Sequence, residues 1–133
     1  MRLARIGTEF AIWLPVGLIP IANGIVRMTT YGPGLAPGVG VAISTVFDVV
    51  LILGYAAFLQ HRHPAAGIGC RRGLIWVVLS TANHFLLGHF AFGLSWRDLI
   101  AKYDISAGET WALITVAILA APTAAQFVTR RRA

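Results

Sequence analysis

Apolar residues dominate four stretches of the chain, residues 9–28, 38–60, 73–94 and 108–128, and polar residues gather between them. Each stretch has the ~20 residues a helix needs to cross a hydrocarbon core ~30 Å thick. The pattern therefore predicts an all-α fold, a four-helix transmembrane bundle built as a single domain over residues 1–133. The first stretch is longer than the ~7–15 apolar residues of a signal peptide, so an uncleaved helix is expected there. Glycine and proline crowd residues 31–38, Tyr31-Gly32-Pro33-Gly34-Leu35-Ala36-Pro37-Gly38, and mark a turn between the first two spans.

Between the third and fourth spans the pattern changes. Trp96, Leu99, Ile100 and Tyr103 recur at spacings of three and four, which predicts a short amphipathic helix over residues 95–104 lying at the outer membrane surface. Ser106 and Glu109 have the spacing of a capping box opening the fourth span.

Composition agrees with this division. Of 133 residues, 57% are hydrophobic and 12% charged, and the mean hydropathy is +0.74. A soluble domain carries about 25% charged residues. These values exclude a disordered tail and weigh against a soluble enzyme. The single cysteine, Cys70, leaves no internal disulfide and no CxxC motif, which excludes a small disulfide-exchange enzyme.

The net charge of +6 sits at the edges of the apolar runs, as membrane orientation requires, and no basic face suited to nucleic acid is expected. Eight basic residues fall on one side: Arg2, Arg5, Arg62, Arg71, Arg72, Arg130, Arg131 and Arg132. Three fall on the other: Arg27, Arg97 and Lys102. The positive-inside bias puts both termini in the cytoplasm and argues against the dual topology of small antiparallel-dimer exporters and fluoride channels. Trp13 and Trp76 are expected as anchors near the inner face, Trp96 and Trp111 near the outer.

Polar side chains inside the spans are costly, by ~2.5–3.5 kcal/mol for Asp or Arg at the centre, so they mark candidate sites. Asp48 falls near the middle of the second span, and Asn83 and His84 near the middle of the third. Gly40, Ser44 and Asp48 recur every four residues, as do Ser80, His84 and Gly88. Such small and polar stripes favour close helix approach. They predict that the second and third spans pack together with Asp48 facing His84. Asn23, Arg27 and His89 form an expected second polar layer nearer the outside. Glu9 is expected to complement the dipole of the first helical turn.

Catalytic motifs are weak. His61 and His63 have metal-compatible spacing but no neighbouring acidic or cysteine cluster. His84 and His89, five residues apart, point ~140° away from each other on an ideal helix and cannot share one small metal ion. No other span carries a histidine, so haem held by two histidines of one chain is excluded. A haem or pigment would need a second chain or Met28. No metal and no cofactor is therefore predicted.

Four motifs carry a family resemblance: Asn23-Gly24-Ile25-Val26-Arg27, the loop from Gly93 to Asp104, Gly108-Glu109-Thr110-Trp111-Ala112-Leu113, and Ala121-Pro122. From about Trp13 to Pro122 the chain resembles a family of small, uncharacterised four-span bacterial integral membrane proteins. The resemblance implies an architecture and a bacterial cytoplasmic membrane, and it carries no activity. This chain has Asn83-His84-Phe85 where that family tends to have Phe-Glu-Phe, and Val41 where it tends to have histidine.

Three functions are compatible with these residues. The foremost is a non-catalytic accessory or binding subunit recognising a small molecule, a lipid or a partner protein, as part of a larger membrane complex or a homo-oligomer. A small proton-coupled transporter or channel would use Asp48 and His84. A haem- or pigment-associated electron-transfer subunit would use His84 or His89.

Overall fold

A computed structural model describes residues 2–64 and 69–131 of the chain. Arg132, counted above among the basic residues, lies outside them, as does the side chain of Arg2. The described residues form five α-helices and no strand: α1 Arg2–Thr29, α2 Pro37–Arg62, α3 Gly69–Leu86, α4 Trp96–Ala101 and α5 Trp111–Arg131. Four of the helices, α1, α2, α3 and α5, are long and apolar enough to cross a membrane. The helices run past the apolar stretches at most ends because arginine side chains extend the backbone into the polar interface without burying charge.

Around the bundle the order is α1, α2, α5, α3, so that α2 and α3 lie diagonally opposite, each packed against α1 and α5. The expected packing of the second span on the third is thus corrected. Their small residues do reach buried positions, but with other partners. The α2 stripe meets α1 through Ser44 and Asp48, and the α3 stripe meets α1 at Ser80 and α4 at Gly88. A stripe of small residues specifies close approach, not which helix approaches.

Without water between helices, packing here depends on van der Waals fit and interhelical hydrogen bonds. The tightest contact joins α3 to α5. A Cβ on Gly73 would collide with the Leu119 carbonyl oxygen, and one on Gly69 would meet Thr123 Cα at 3.0 Å. Gly69 and Gly73 form a Gly-x-x-x-Gly pair on the first turns of α3, which begins four residues before the apolar run suggested. On α5 the residues facing these two glycines are Leu119, Thr123 and Gln126, while Ala121 and Ala125 are buried on another side of the helix.

Trp13, Val16, Ile52, Trp76 and Ile118 fill the core of this half. Trp13 and Trp76 are 4% and 0% exposed, so neither is the interfacial anchor expected of it. Trp13 Nε1 donates to Ser80 Oγ at 2.9 Å, and Trp76 stacks on Tyr55 at 6.1 Å between ring centroids. Tyr55 in turn donates to the Ile12 carbonyl at 2.7 Å, tying α2 to α1. Depth along the chain was the ground for expecting these tryptophans at an interface. Their rotation about the helix axis turned them inward, where a bundle of small residues leaves room for them.

Glu9 lies two turns inside α1 rather than in its first turn. It forms an ion pair with Arg72 of α3 at 3.1 Å, so charge pairing across helices replaces the expected dipole role.

Candidate functional site

The other half of the bundle is built differently. There α1, α2, α3, α4 and α5 surround a cavity of about 450 Å³. Its walls are mostly apolar, and six polar side chains matter to its chemistry: Arg27, Asp48, Asn83, His84, Lys102 and Glu109.

Asp48 is the deepest charged group, 3% exposed, and Asn23 holds it in place. The Asn23 Nδ2 group donates to Asp48 Oδ1 at 2.9 Å, to the Ser44 carbonyl at 2.8 Å and to Ser44 Oγ at 3.1 Å. Four residues beyond Asn23 on the same helix face, Arg27 lies within electrostatic reach of Asp48. Its aliphatic stem runs beside Gly32 and Gly40, where glycine leaves space for it. No hydrogen bond or ion pair among the described residues engages the Arg27 guanidinium, the Asn83 carboxamide or Asp48 Oδ2. A buried carboxylate without a close counter-ion is expensive unless it is hydrogen-bonded, and the Asn23 fork supplies that bond.

His84 takes a different partner. Its Nε2 lies 3.2 Å from the Leu99 carbonyl of α4, and its ring stacks on Trp111 at 4.5 Å between centroids. The direct pair expected between Asp48 and His84 is therefore not formed. Both side chains line the same cavity, but Asn23 and the α4 backbone satisfy them separately, because α2 and α3 face each other only across the open centre.

The loop between α3 and α5 covers this end. After Leu86 the helix widens into a π-turn over Leu87–Ala91, and Gly93 at φ +68° reverses the chain with a backbone conformation that suits glycine. The chain then enters α4, whose first turn is capped by Ser95 Oγ accepting from the Asp98 amide. Leu99 points inward against Gly88, where any larger residue would clash. Tyr103 accepts a hydrogen bond from Trp111 Nε1 at 2.8 Å. Of the apolar face expected on this helix, Leu99 is buried, whereas Ile100 is exposed.

The expected capping box does not form. Asp104 Oδ1 instead accepts from the Ser106 amide at 3.0 Å and from its hydroxyl, capping a 3₁₀ turn over Ile105–Ala107. These bonds hold the Asp104 carboxyl below its ordinary pKa. Glu109 pairs with Lys102 at 2.9 Å across the cavity rim. The first carbonyl of α5 belongs to Thr110, whose hydroxyl also accepts from Thr45 Oγ1 at 2.6 Å.

Of the second expected layer, Arg27 lines the cavity, and Asn23 lies behind it as the support of Asp48. His89 does not join them. It stacks on Trp96 at 3.9 Å and its Nδ1 faces the Leu94 carbonyl at 2.8 Å, outside the cavity. The π-turn rotates His89 away from the direction a regular helix would give. Lys102, Glu109 and Trp111 were not singled out as site residues. Their sequence signal was available, since they flank the turn that joins the cavity's lid to α5. Among the described residues no group of three or more His, Cys, Asp or Glu side chains could hold a metal ion.

No family model, curated protein or solved structure matches this chain.

Proposed function

We propose that the chain is a non-catalytic membrane binding protein, an accessory or binding subunit whose polar-floored cavity takes a small amphiphilic molecule. The observation that carries this reading is the cavity itself, about 450 Å³ in a bundle of this size, with an unengaged guanidinium and carboxamide in its wall. Ligand pockets are of this kind, mostly apolar with a few placed polar groups. Small residues line this half too, but Gly24 here meets open space where Gly73 meets a neighbouring helix.

In this reading the basic end of the bundle, with Arg5, Arg62, Arg71, Arg72, Arg130 and Arg131, faces the cytoplasm, and the cavity opens toward the outer leaflet. The resemblance to small bacterial four-span proteins supports the bacterial cytoplasmic membrane as its location. The lipid bilayer is its solvent, and a larger complex or a second copy of the chain would be its protein partner.

Mass spectrometry of molecules retained by the purified protein tests the reading. Gly24 lines the cavity and has no atom within 4 Å of an added Cβ, so Gly24→Phe fills the space without striking the backbone. Retained small molecules should be lost from Gly24→Phe. Equal retention by both proteins would refute the site.

A second reading follows from Asp48 and His84 lining one cavity: a proton-coupled transporter or channel with both groups as stations. A pH-dependent flux in liposomes that Asp48→Asn abolishes would favour it. A coloured purified protein would instead favour the haem or pigment subunit.

A further inference from the structure

The cavity's charges balance. Arg27 and Asp48 lie within electrostatic reach of each other, and Lys102 and Glu109 are joined at the rim at 2.9 Å. The wall therefore carries two formal positive and two formal negative charges. A ligand head bearing a net charge would bring one uncompensated charge into a low-dielectric space, which is costly. A neutral head would not.

The unengaged groups specify more. Asp48 Oδ2 takes no donor among the described residues, and Asp48 lines the cavity, so this oxygen is an acceptor available there. The Arg27 guanidinium and Asn83 carboxamide offer donors. A head that both donates and accepts, such as a hydroxyl beside an ester or other carbonyl, satisfies both sides at once.

On the side between α1 and α3, residues that line the cavity are also exposed on the outer surface, and we take this side as its lateral gap. In the opposite half, α1 and α3 are joined by the Glu9–Arg72 pair and the Trp13–Ser80 bond. Towards the cavity no hydrogen bond joins them among the described residues. The two sides of the gap are Ile25 and Met28 on α1, and Leu87 and Phe92 at the π-turn, all lining the cavity and all exposed to the hydrocarbon side. Pro20, also in the wall, deprives α1 of one main-chain hydrogen bond beside the cavity. A hydrocarbon tail fits such an opening, because its surroundings there are as apolar as the bilayer.

We infer that the ligand is a neutral-headed, single-chain amphiphile drawn from the bilayer, its head between Arg27 and Asp48 and its tail leaving between α1 and α3. This rests on the cavity being a binding site and names the chemistry it selects.

The test uses the full chain in detergent with three oleyl probes: monoolein, oleyl sulfate and oleyltrimethylammonium. Native mass spectrometry should show monoolein retained at least ten-fold more than either charged probe. Asp48→Asn leaves the Arg27 charge unbalanced and should move the preference to oleyl sulfate. Arg27→Met should move it to oleyltrimethylammonium. Wild-type preference for a charged probe overturns the neutral-head inference while leaving the cavity as a binding site, provided Gly24→Phe lowers retention. Retention of all three probes unaffected by Gly24→Phe overturns the binding site with it. The wild-type comparison stands even where a charge variant fails to fold.

Discussion

The same four helices form two unlike halves. At the basic end, glycine, alanine and serine let backbones touch, and two tryptophans fill what remains. At the other end, Asp48, Asn83 and His84 surround open space under a short helical lid. The first half has the features of a packed core, and a void beside Trp76 there measures only about 10 Å³. In the second, Asp48 and His84 are supported separately and not by each other, and no hydrogen bond among the described residues engages the Asn83 carboxamide. The difference teaches that close packing and open space are segregated along the bundle axis. A site with unengaged donors is affordable because the opposite end carries the packing.

The comparison breaks most easily at Trp76. Removing this wholly buried ring by Trp76→Ala should cost about 3–5 kcal/mol in reversible unfolding in detergent. Trp111→Ala, at a partly buried ring beside the cavity, should cost distinctly less. Equal losses would mean that the cavity end is packed as a core too.

Paired glycine substitutions sharpen the contrast. Gly73→Ala puts a Cβ into the Leu119 carbonyl and should destabilise by about 1–3 kcal/mol. Gly24→Ala meets open space and should be neutral or stabilising by up to about 1 kcal/mol, through the better helix propensity of alanine. Thermal unfolding of the two variants side by side decides it, and the reverse order would contradict the assigned division.

Hydrogen bonds give a smaller difference. Ser80→Ala strands the Trp13 indole N–H in the packed half and should cost about 1–3 kcal/mol. Asn23→Ala removes the donor to Asp48, yet the carboxylate borders the cavity and retains Arg27 within reach, so the loss should be smaller. A cost for Asn23→Ala above that of Ser80→Ala would show that Asp48 belongs to the structural core.

The smallest effect is expected in the lid loop. The Ser106 hydroxyl and amide hold the Asp104 carboxyl below its ordinary value of 3.8. A folded-state pKa below the unfolded one contributes stability that is fully present above about pH 4 and is lost as pH falls through the lower, folded value. The protection of the Ser106 amide, its exchange relative to the intrinsic rate at each pH, should therefore fall only in strongly acidic solution, and Asp104→Asn should remove that acid dependence. Protection that falls already near neutrality would point to a different group.

The linear order of polar and apolar residues was enough to determine the four long helices, the turn between the first two of them, a short helix near Trp96 and the presence of Asp48, Asn83, His84 and Arg27 in the long apolar helices. Those features depend on hydrophobic length and on spacing within one helix, which a sequence states directly. What only tertiary structure decided was who faces whom. Asp48 went to Asn23 and His84 to the Leu99 carbonyl because α2 and α3 are diagonal. Trp13 and Trp76 turned inward instead of anchoring an interface. His89 left the polar layer at a π-turn that no pattern announced. Gly69 and Gly73 stood in view as a spaced pair, but their partner on α5 did not. Depth is a property of one helix, whereas rotation and neighbour order belong to the whole bundle, where small residues permit several close approaches and the summed packing of all helices selects one.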